Sequence, residues 1–284
     1  MTTTVTLDEK MARVRQSLGR HRRVLVAFSG GVDSTLLLKI AVDVLGVDNV
    51  LAVTADNAAV PSGEVDEARE LARQIGASHR VIETHELDDA RYVKNPPDRC
   101  YYCRLDLFRR LRDMAERRDY DAVLTGANAD DLGDWRPGLQ AATEYGMGSP
   151  MADAGLTKSD IRQLSQAAGL PTHDKPANPC LATRIAYGIP ITTETLARVD
   201  RAEAILRQYG LRQFRVRHHG ELARLELPAD RIAEFAEPGR RAEVVEALRA
   251  LGYKYVTLDM QGFRSGSMNE AIDRSRPGTR DGSS

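Results

Sequence analysis

The apolar run Val24-Leu25-Val26-Ala27-Phe28 passes directly into Ser29-Gly30-Gly31-Val32-Asp33-Ser34, and that turn opens into Thr35-Leu36-Leu37-Leu38-Lys39-Ile40. A buried strand, a glycine turn and an amphipathic helix in that order leave few folds open. Two adjacent glycines let the backbone approach an anion closely, and the helix that follows presents unpaired N–H groups and the positive end of its dipole. The spacing is neither that of a Walker loop, G-x-x-x-x-G-K-[ST], nor that of a dinucleotide fingerprint, G-x-G-x-x-G. Out of context, Asp33 and Ser34 would also serve as plain helix caps.

The rest of the first half repeats the strand-helix rhythm. Residues 7–18 carry Leu7, Met11, Val14 and Leu18 at helical spacing, residues 50–55 read as a second buried strand, and residues 62–76 as an acidic helix closed by glycine. A short third strand is expected over 79–83, a basic helix over 103–118 and a fourth strand over 122–126. Alternation of this kind predicts an α/β fold, a parallel sheet with helices on both faces, whose ligands bind at the carboxyl ends of the strands. Residues 29–34, 54–57 and 126–131 all fall at that edge. A helix over 157–169, with Thr157 and Asp160 as a capping box, leads into a proline-rich loop over 171–190.

Beyond the loop the pattern changes to a helix (194–209), two short antiparallel strands (213–218 and 223–227), two helices (229–235 and 240–251) and a last strand (253–259). Three parts are expected: an α/β domain over 1–188, a smaller C-terminal α+β domain over 189–273, and a disordered tail over 274–284. Charge bears on the partners. With 29% charged residues and a net charge of −1, the chain has no general basic excess for nucleic acid. No segment has the apolar length to span a bilayer and no secretory leader precedes residue 8, so a cytoplasmic location and no membrane partner are expected.

Two further constellations carry chemistry. Thr125-Gly126-Ala127-Asn128-Ala129-Asp130-Asp131-Leu132-Gly133-Asp134 puts carboxylates beyond a strand end, where one or two could hold the magnesium of a nucleotide; an acidic capping turn would look similar. Cys100-Tyr101-Tyr102-Cys103, where a loop breaks into a helix, joins Cys180, in a second loop, as the chain's three cysteines. The pair alone suits a dithiol couple, two of four zinc ligands with His173 among the rest, or part of an iron-sulfur set.

The glycine turn resembles the S-G-G-x-D-S loop of the PP-loop ATP pyrophosphatases, which split ATP between its α and β phosphates. Together with residues 125–138 and Pro179-Cys180-Leu181-Ala182-Thr183-Arg184-Ile185-Ala186-Tyr187-Gly188, it resembles the LarE family, ATP-dependent sulfur transferases that build the nickel-pincer nucleotide used in lactate racemase maturation. The resemblance runs from about residue 24 to residue 259. It implies that ATP and Mg2+ are held by Ser29, Gly30, Gly31, Asp33, Ser34, Thr54, Gly126, Asn128 and Asp131, with Asp33 also in a catalytic role. A carboxylate of pyridinium-3,5-biscarboxylic acid mononucleotide would be adenylated and sulfur would then displace AMP.

Some members of that family have only the cysteine matching Cys180, which surrenders its own sulfur and ends as dehydroalanine. Others hold a 4Fe-4S cluster on three thiolates with one open iron, and the full set Cys100, Cys103 and Cys180 here implies the cluster form, fed by a sulfide or other sulfur donor. The resemblance further implies substrate contacts from Arg184, Arg215, Arg217, Glu203 and Glu226, and a homo-oligomer. Arg215 and Arg217 share one face of a strand by period two, and paired guanidiniums suit a phosphate. His218 and His219 are candidate acid-base groups. A PP-loop tRNA thiolase is the main rival and would need a basic track for RNA.

Overall fold

The computed structural model describes residues 5–132 and 137–268. The expected tail over 274–284, and Asp134 of the acidic run, lie outside the described residues. Helix α1 (Leu7–Leu18) precedes β1 (Val24–Ala27), α2 (Val32–Leu45), β2 (Val50–Asp56), α3 (Glu64–Ile75) and β3 (Ser78–Glu83). Helices α4 (Ala90–Val93) and α5 (Arg99–Arg117) follow, then β4 (Ala122–Leu124), α6 (Pro137–Glu144), α7 (Pro150–Asp153) and α8 (Lys158–Ala167). The remainder is α9 (Thr193–Arg207), β5 (Arg215–His219), β6 (Leu222–Glu226), α10 (Ile232–Ala236), α11 (Pro238–Ala250) and β7 (Tyr255–Leu258).

The first four strands form one parallel sheet in the order β3-β2-β1-β4, with Val24 opposite Val50 on one side and Ala122 on the other. Because successive side chains in a strand point to opposite faces, β1 divides its residues between two cores. Val24 and Val26 pack with Val14, Leu18, Leu36 and Leu37 beneath α1, α2 and α8, whereas Leu25 packs with Leu51, Phe108 and Leu111 beneath α5. The sheet is thus covered on both faces, and its strands can be apolar throughout. β2 and β4 flank β1, so the chain direction switches beside β1, which is where α/β sheets open a crevice at their carboxyl ends.

The second sheet has the order β5-β6-β7, with β5 and β6 antiparallel and β6 and β7 parallel. It packs a separate core of Leu206, Phe214, Val216, Leu225, Phe235 and Leu248. The connecting loop is docked: the buried Asn95 amide donates to the carbonyls of Ala186 and Ile189, each at 2.9 Å.

Two local expectations change. The basic helix begins at Arg99 and not near 103, because Pro96 and Pro97 bar helix only ahead of themselves and Arg99 N–H already turns back to the Pro96 carbonyl at 3.0 Å. Cys100 and Cys103 therefore lie three apart on the first turn of a helix, on one face. The short helices α4, α6 and α7 were absent from the sequence reading, since four to eight residues hold too little periodicity to register.

Candidate active site

The glycine turn lies at the carboxyl end of β1. Gly30 adopts φ +68°, a left-handed conformation that a side chain would strain, and its Cα faces Ala68 of α3 closely enough that a Cβ would meet Ala68 at 3.3 Å. Gly31 is the N-cap of α2 and puts no side-chain cap on the helix's first N–H groups. The two serines line the turn: Ser34 Oγ receives the Ser29 N–H at 3.2 Å and donates to the Gly31 carbonyl at 3.2 Å, while the Gly31 N–H meets Ser29 Oγ at 3.4 Å. This is a concave backbone donor site at a helix N-terminus, which suits an anion.

Opposite the turn, Gly126 stands just past β4. A Cβ there would lie 2.9 Å from Ser34 N and 3.1 Å from Asp33 C, so only glycine lets the segment after β4 approach the start of α2 this closely. Asn128 and Asp131 form a capping box in which the Asn128 N–H donates to Asp131 Oδ2 at 3.0 Å. The acidic run is thus partly a helical cap, as its composition allows, and Asp130 accepts the Lys158 N–H at 2.8 Å. Asn128 Nδ2 also reaches Asp33 Oδ1 at 3.4 Å. The side chain of Lys158, at the start of α8, forms an ion pair with Asp33. Sequence reasoning missed Lys158; the only available signal was its place directly after the capping Thr157. The Thr54 hydroxyl turns inward, donating to the Phe28 carbonyl at 2.8 Å and meeting His79 Nε2 at 2.8 Å, so Thr54 offers a bound nucleotide its backbone.

The cysteines converge from two elements. Cys103 and Cys180 pack with Tyr92, Leu181 and Ile185, and Cys100 is exposed beside them at the start of α5. Burial of Cys103, the protein atoms crowded around the Cys100 sulfur although that residue as a whole stays exposed, and then the neighbouring Cys180 sulfur push both thiols above the usual cysteine range. Such thiols resist ionisation alone and lose the proton readily only to a metal or to a positive charge. Among the described residues no three His, Cys, Asp or Glu side chains converge as a set for one metal ion, so the zinc set with His173 is not formed. His173 Nδ1 instead contacts the Leu170 carbonyl oxygen at 3.0 Å. The three thiols come from the start of α5 and from the Cys180 loop, and a soft donor set of this kind is the sort that iron or zinc takes.

The Cys180 loop is held from below by Arg184, which is wholly buried. Its Nε and Nη2 reach the Glu203 carboxylate at 2.9 and 3.2 Å, Nη2 donates to Asn178 Oδ1 at 2.8 Å, and Nη1 donates to Thr183 Oγ1 at 3.0 Å and the Cys180 carbonyl at 3.3 Å. Every guanidinium nitrogen of Arg184 has an internal partner, and Glu203 Oε1 also accepts the Val216 N–H at 3.3 Å. In this structure the pair shapes the loop.

Arg215 and Arg217 do share a face, but that face is inward. Arg217 pairs with the buried Glu226 at 2.8 Å and donates to the Thr183 carbonyl at 2.9 Å and to Ser267 Oγ at 2.8 Å. Arg215 donates to the Ala177 carbonyl at 2.7 Å, and burial followed by the charge of Arg184 brings its pKa down to about 10. It lines a cleft of about 250 Å³ together with Asn178, Lys175, Arg207 and Arg212, and the cations outnumber the Glu64 and Glu203 carboxylates on the same wall and leave it suited to a phosphate. His218 is buried, with Nδ1 at 3.2 Å from the Tyr253 hydroxyl, and burial, then Arg198 and His219, push its pKa down to about 4. It stays neutral near pH 7 and packs against the second core.

A doubly covered parallel sheet whose S-G-G-V-D-S turn meets an acidic cap across the first strand defines a PP-loop ATP-utilising enzyme, and the NAD synthase family profile matches residues 7–112. An uncharacterized protein of Synechocystis sp. is 44% identical over 268 residues, 94% of this chain and 100% of that protein. Pyridinium-3,5-bisthiocarboxylic acid mononucleotide synthase of Lactiplantibacillus plantarum is 41% identical over 274 residues, 96% of this chain and 99% of that enzyme. An uncharacterized protein of Methanocaldococcus jannaschii is 28% identical over 260 residues, covering 90% of this chain and 98% of its own length. The chain belongs to the LarE family, that of pyridinium-3,5-bisthiocarboxylic acid mononucleotide synthase. No helix among the described residues is long and apolar enough to cross a membrane.

Proposed function

We propose that this chain adenylates a carboxylate of pyridinium-3,5-biscarboxylic acid mononucleotide with ATP, releases pyrophosphate and replaces AMP with sulfur to give a thiocarboxylate. The observation that carries the reading is the placement of the Cys180 segment against the phosphate turn: Leu181 N–H donates to the Ala59 carbonyl, past the end of β2, at 2.8 Å, and Lys175 reaches the Gly30 carbonyl at 3.4 Å. Thiols and a phosphate-binding turn thus share one edge of the sheet.

The turn and the first N–H groups of α2 receive the departing pyrophosphate, and Lys158 adds positive charge beside it. Asp33 and Asp131 would hold the nucleotide's magnesium. A carboxylate is a poor acyl donor until its oxygen carries a good leaving group; once AMP is attached, a sulfur nucleophile forms the C–S bond and AMP departs with the C–O electron pair. Arg215, on the basic wall of the cleft, takes the substrate phosphate, while Arg217, fixed by Glu226 and Thr183, backs it. Cys100, Cys103 and Cys180 would hold a 4Fe-4S cluster, which when bound supplies an iron with an open position for sulfur.

The test is pyrophosphate release with this substrate, with iron and acid-labile sulfide analysis of anaerobically purified wild type and Cys100→Ala. The expected result is substrate-dependent release and about four irons per chain, lost in the variant. Release indifferent to the substrate would refute the reaction. Turnover without iron, leaving Cys180 one sulfur lighter by mass spectrometry, would replace the cluster with a sacrificial cysteine.

A further inference from the structure

Lys175 stands between the phosphate turn and the segment that carries Cys180. Its Nζ donates to the Gly30 carbonyl at 3.4 Å and to Glu64 Oε2 at 3.0 Å, and lies 2.9 Å from Glu67 Oε2. In a planar trans peptide the C=O and N–H point in opposite directions. A lysine that holds the Gly30 carbonyl on one side therefore keeps the Gly31 N–H on the other, within the turn, where it meets Ser29 Oγ at 3.4 Å.

The other oxygen of Glu64 leads away from the turn. Glu64 Oε1 accepts from Asn178 Nδ2 at 2.8 Å, Asn178 Oδ1 accepts from Arg184 Nη2 at 2.8 Å, and Arg184 Nη1 holds the Cys180 carbonyl at 3.3 Å. One unbroken line of hydrogen bonds therefore joins the Gly30 peptide to the Cys180 peptide through Lys175, Glu64, Asn178 and Arg184. The Lys175 and Glu64 side chains are only 17% and 19% exposed, so solvent and salt screen their pairing less than on an open surface. The line starts at a peptide between two glycines, the backbone unit in the turn with the greatest freedom to rotate.

We infer that Lys175 and Glu64 are positioning residues that couple occupation of the phosphate turn to the conformation of the Cys180 segment. An anion that draws the Gly31 N–H inward drives the Gly30 carbonyl outward onto Lys175, which tightens the brace and fixes the thiol-bearing loop. The sulfur side of the site is then set only when nucleotide is present. The inference rests on the turn binding ATP, as proposed above, and goes beyond it in naming the residues that link the two half-sites.

Hydrogen exchange followed by mass spectrometry on the full chain tests it, with α,β-methylene ATP as the probe. In the wild type the analogue should slow exchange over 29–36 and also over 177–184, the latter by about fivefold, the lower end of coupling between linked sites. In Lys175→Met the slowing should persist over 29–36 and vanish over 177–184, and Lys175→Arg should restore it. If Lys175→Met fails to fold, Glu64→Gln keeps an acceptor for Asn178, drops the charge facing Lys175 and supplies the same comparison. Persisting protection of 177–184 in the variant overturns the inference. So does faster exchange there that is equal with and without the analogue, which is the mark of a purely structural brace. Absence of protection over 29–36 in the wild type would instead strike at nucleotide binding itself, and the coupling would fall with it.

Discussion

Gly126→Ala is the sharpest probe of how the sheet builds its nucleotide site. The new Cβ would stand 2.9 Å from Ser34 N and 3.1 Å from both Asp33 C and Ser34 Cα, where ordinary contact begins at 3.4 Å. All three neighbours are backbone atoms at the start of α2, so no rotamer change can clear them. Either the end of β4 or the phosphate turn must retreat by about half an ångström, and overpacking of this kind costs about 1–3 kcal/mol. If the turn yields, that energy appears as a loss of nucleotide affinity of roughly 5- to 150-fold. If β4 yields, it appears in the urea midpoint.

Titration calorimetry with α,β-methylene ATP and urea denaturation together capture both routes. Gly239→Ala is the control: it lies in α11 with no atom within 4 Å of the added methyl, so affinity should stay level and the midpoint should hold or rise slightly, alanine being the better helix former. An unchanged affinity together with an unchanged midpoint for Gly126→Ala would refute the close approach as the reason for glycine here.

Glu203→Ala strands the buried Arg184 guanidinium and removes an acceptor from Val216 N–H, so it should cost about 3–5 kcal/mol in urea denaturation; a loss below about 1 kcal/mol would mean the pair is not a brace. Lys158→Met removes the partner of Asp33 at a position 36% exposed, so stability should stay within about 1 kcal/mol while pyrophosphate binding weakens; equal pyrophosphate affinity in the two proteins would take Lys158 out of the site. Because the folded pKa of His218 sits near 4 and its unfolded value near 6.5, its contribution to stability is complete above pH ~6.5 and is lost as pH falls toward 4. The acid side of the stability profile should therefore flatten in His218→Gln, and an identical profile would contradict the burial argument.

The phosphate turn could be read from the chain because its chemistry is local: six consecutive residues supply the glycines, the hydroxyls and the helix start. The sheet was legible for a related reason, since strands covered on both faces are written as plain apolar runs such as 24–28 and 50–55. Arg215 and Arg217 mark where such reading stops. Period two placed them on one face correctly, yet whether that face meets water or another layer depends on Thr183 and Ser267, which lie 34 and 50 residues from Arg217. The Arg184–Glu203 pair was hidden in the same way, its partners sitting on a loop and a helix whose docking no local pattern encodes. The start of α5 lies earlier than the sequence suggests because the Asn95-Pro96-Pro97 segment punctuates only what precedes it.

The position of Cys100 and Cys103 at the tip of α5 bears on how the family diversifies. What fastens that helix to the sheet is Phe108, Leu111 and Ala115, two or more turns further along, and Cys100 contributes little to that packing. Cys180 belongs to a different segment, whose conformation is set by Arg184 and Glu203. Two changes at the end of α5 therefore set how many thiols stand beside Cys180, while Phe108, Leu111 and Ala115 still fasten the helix and the phosphate turn is untouched. The two positions are not equal, since Cys103 also packs with Tyr92 and Leu181 and its replacement must refill that contact.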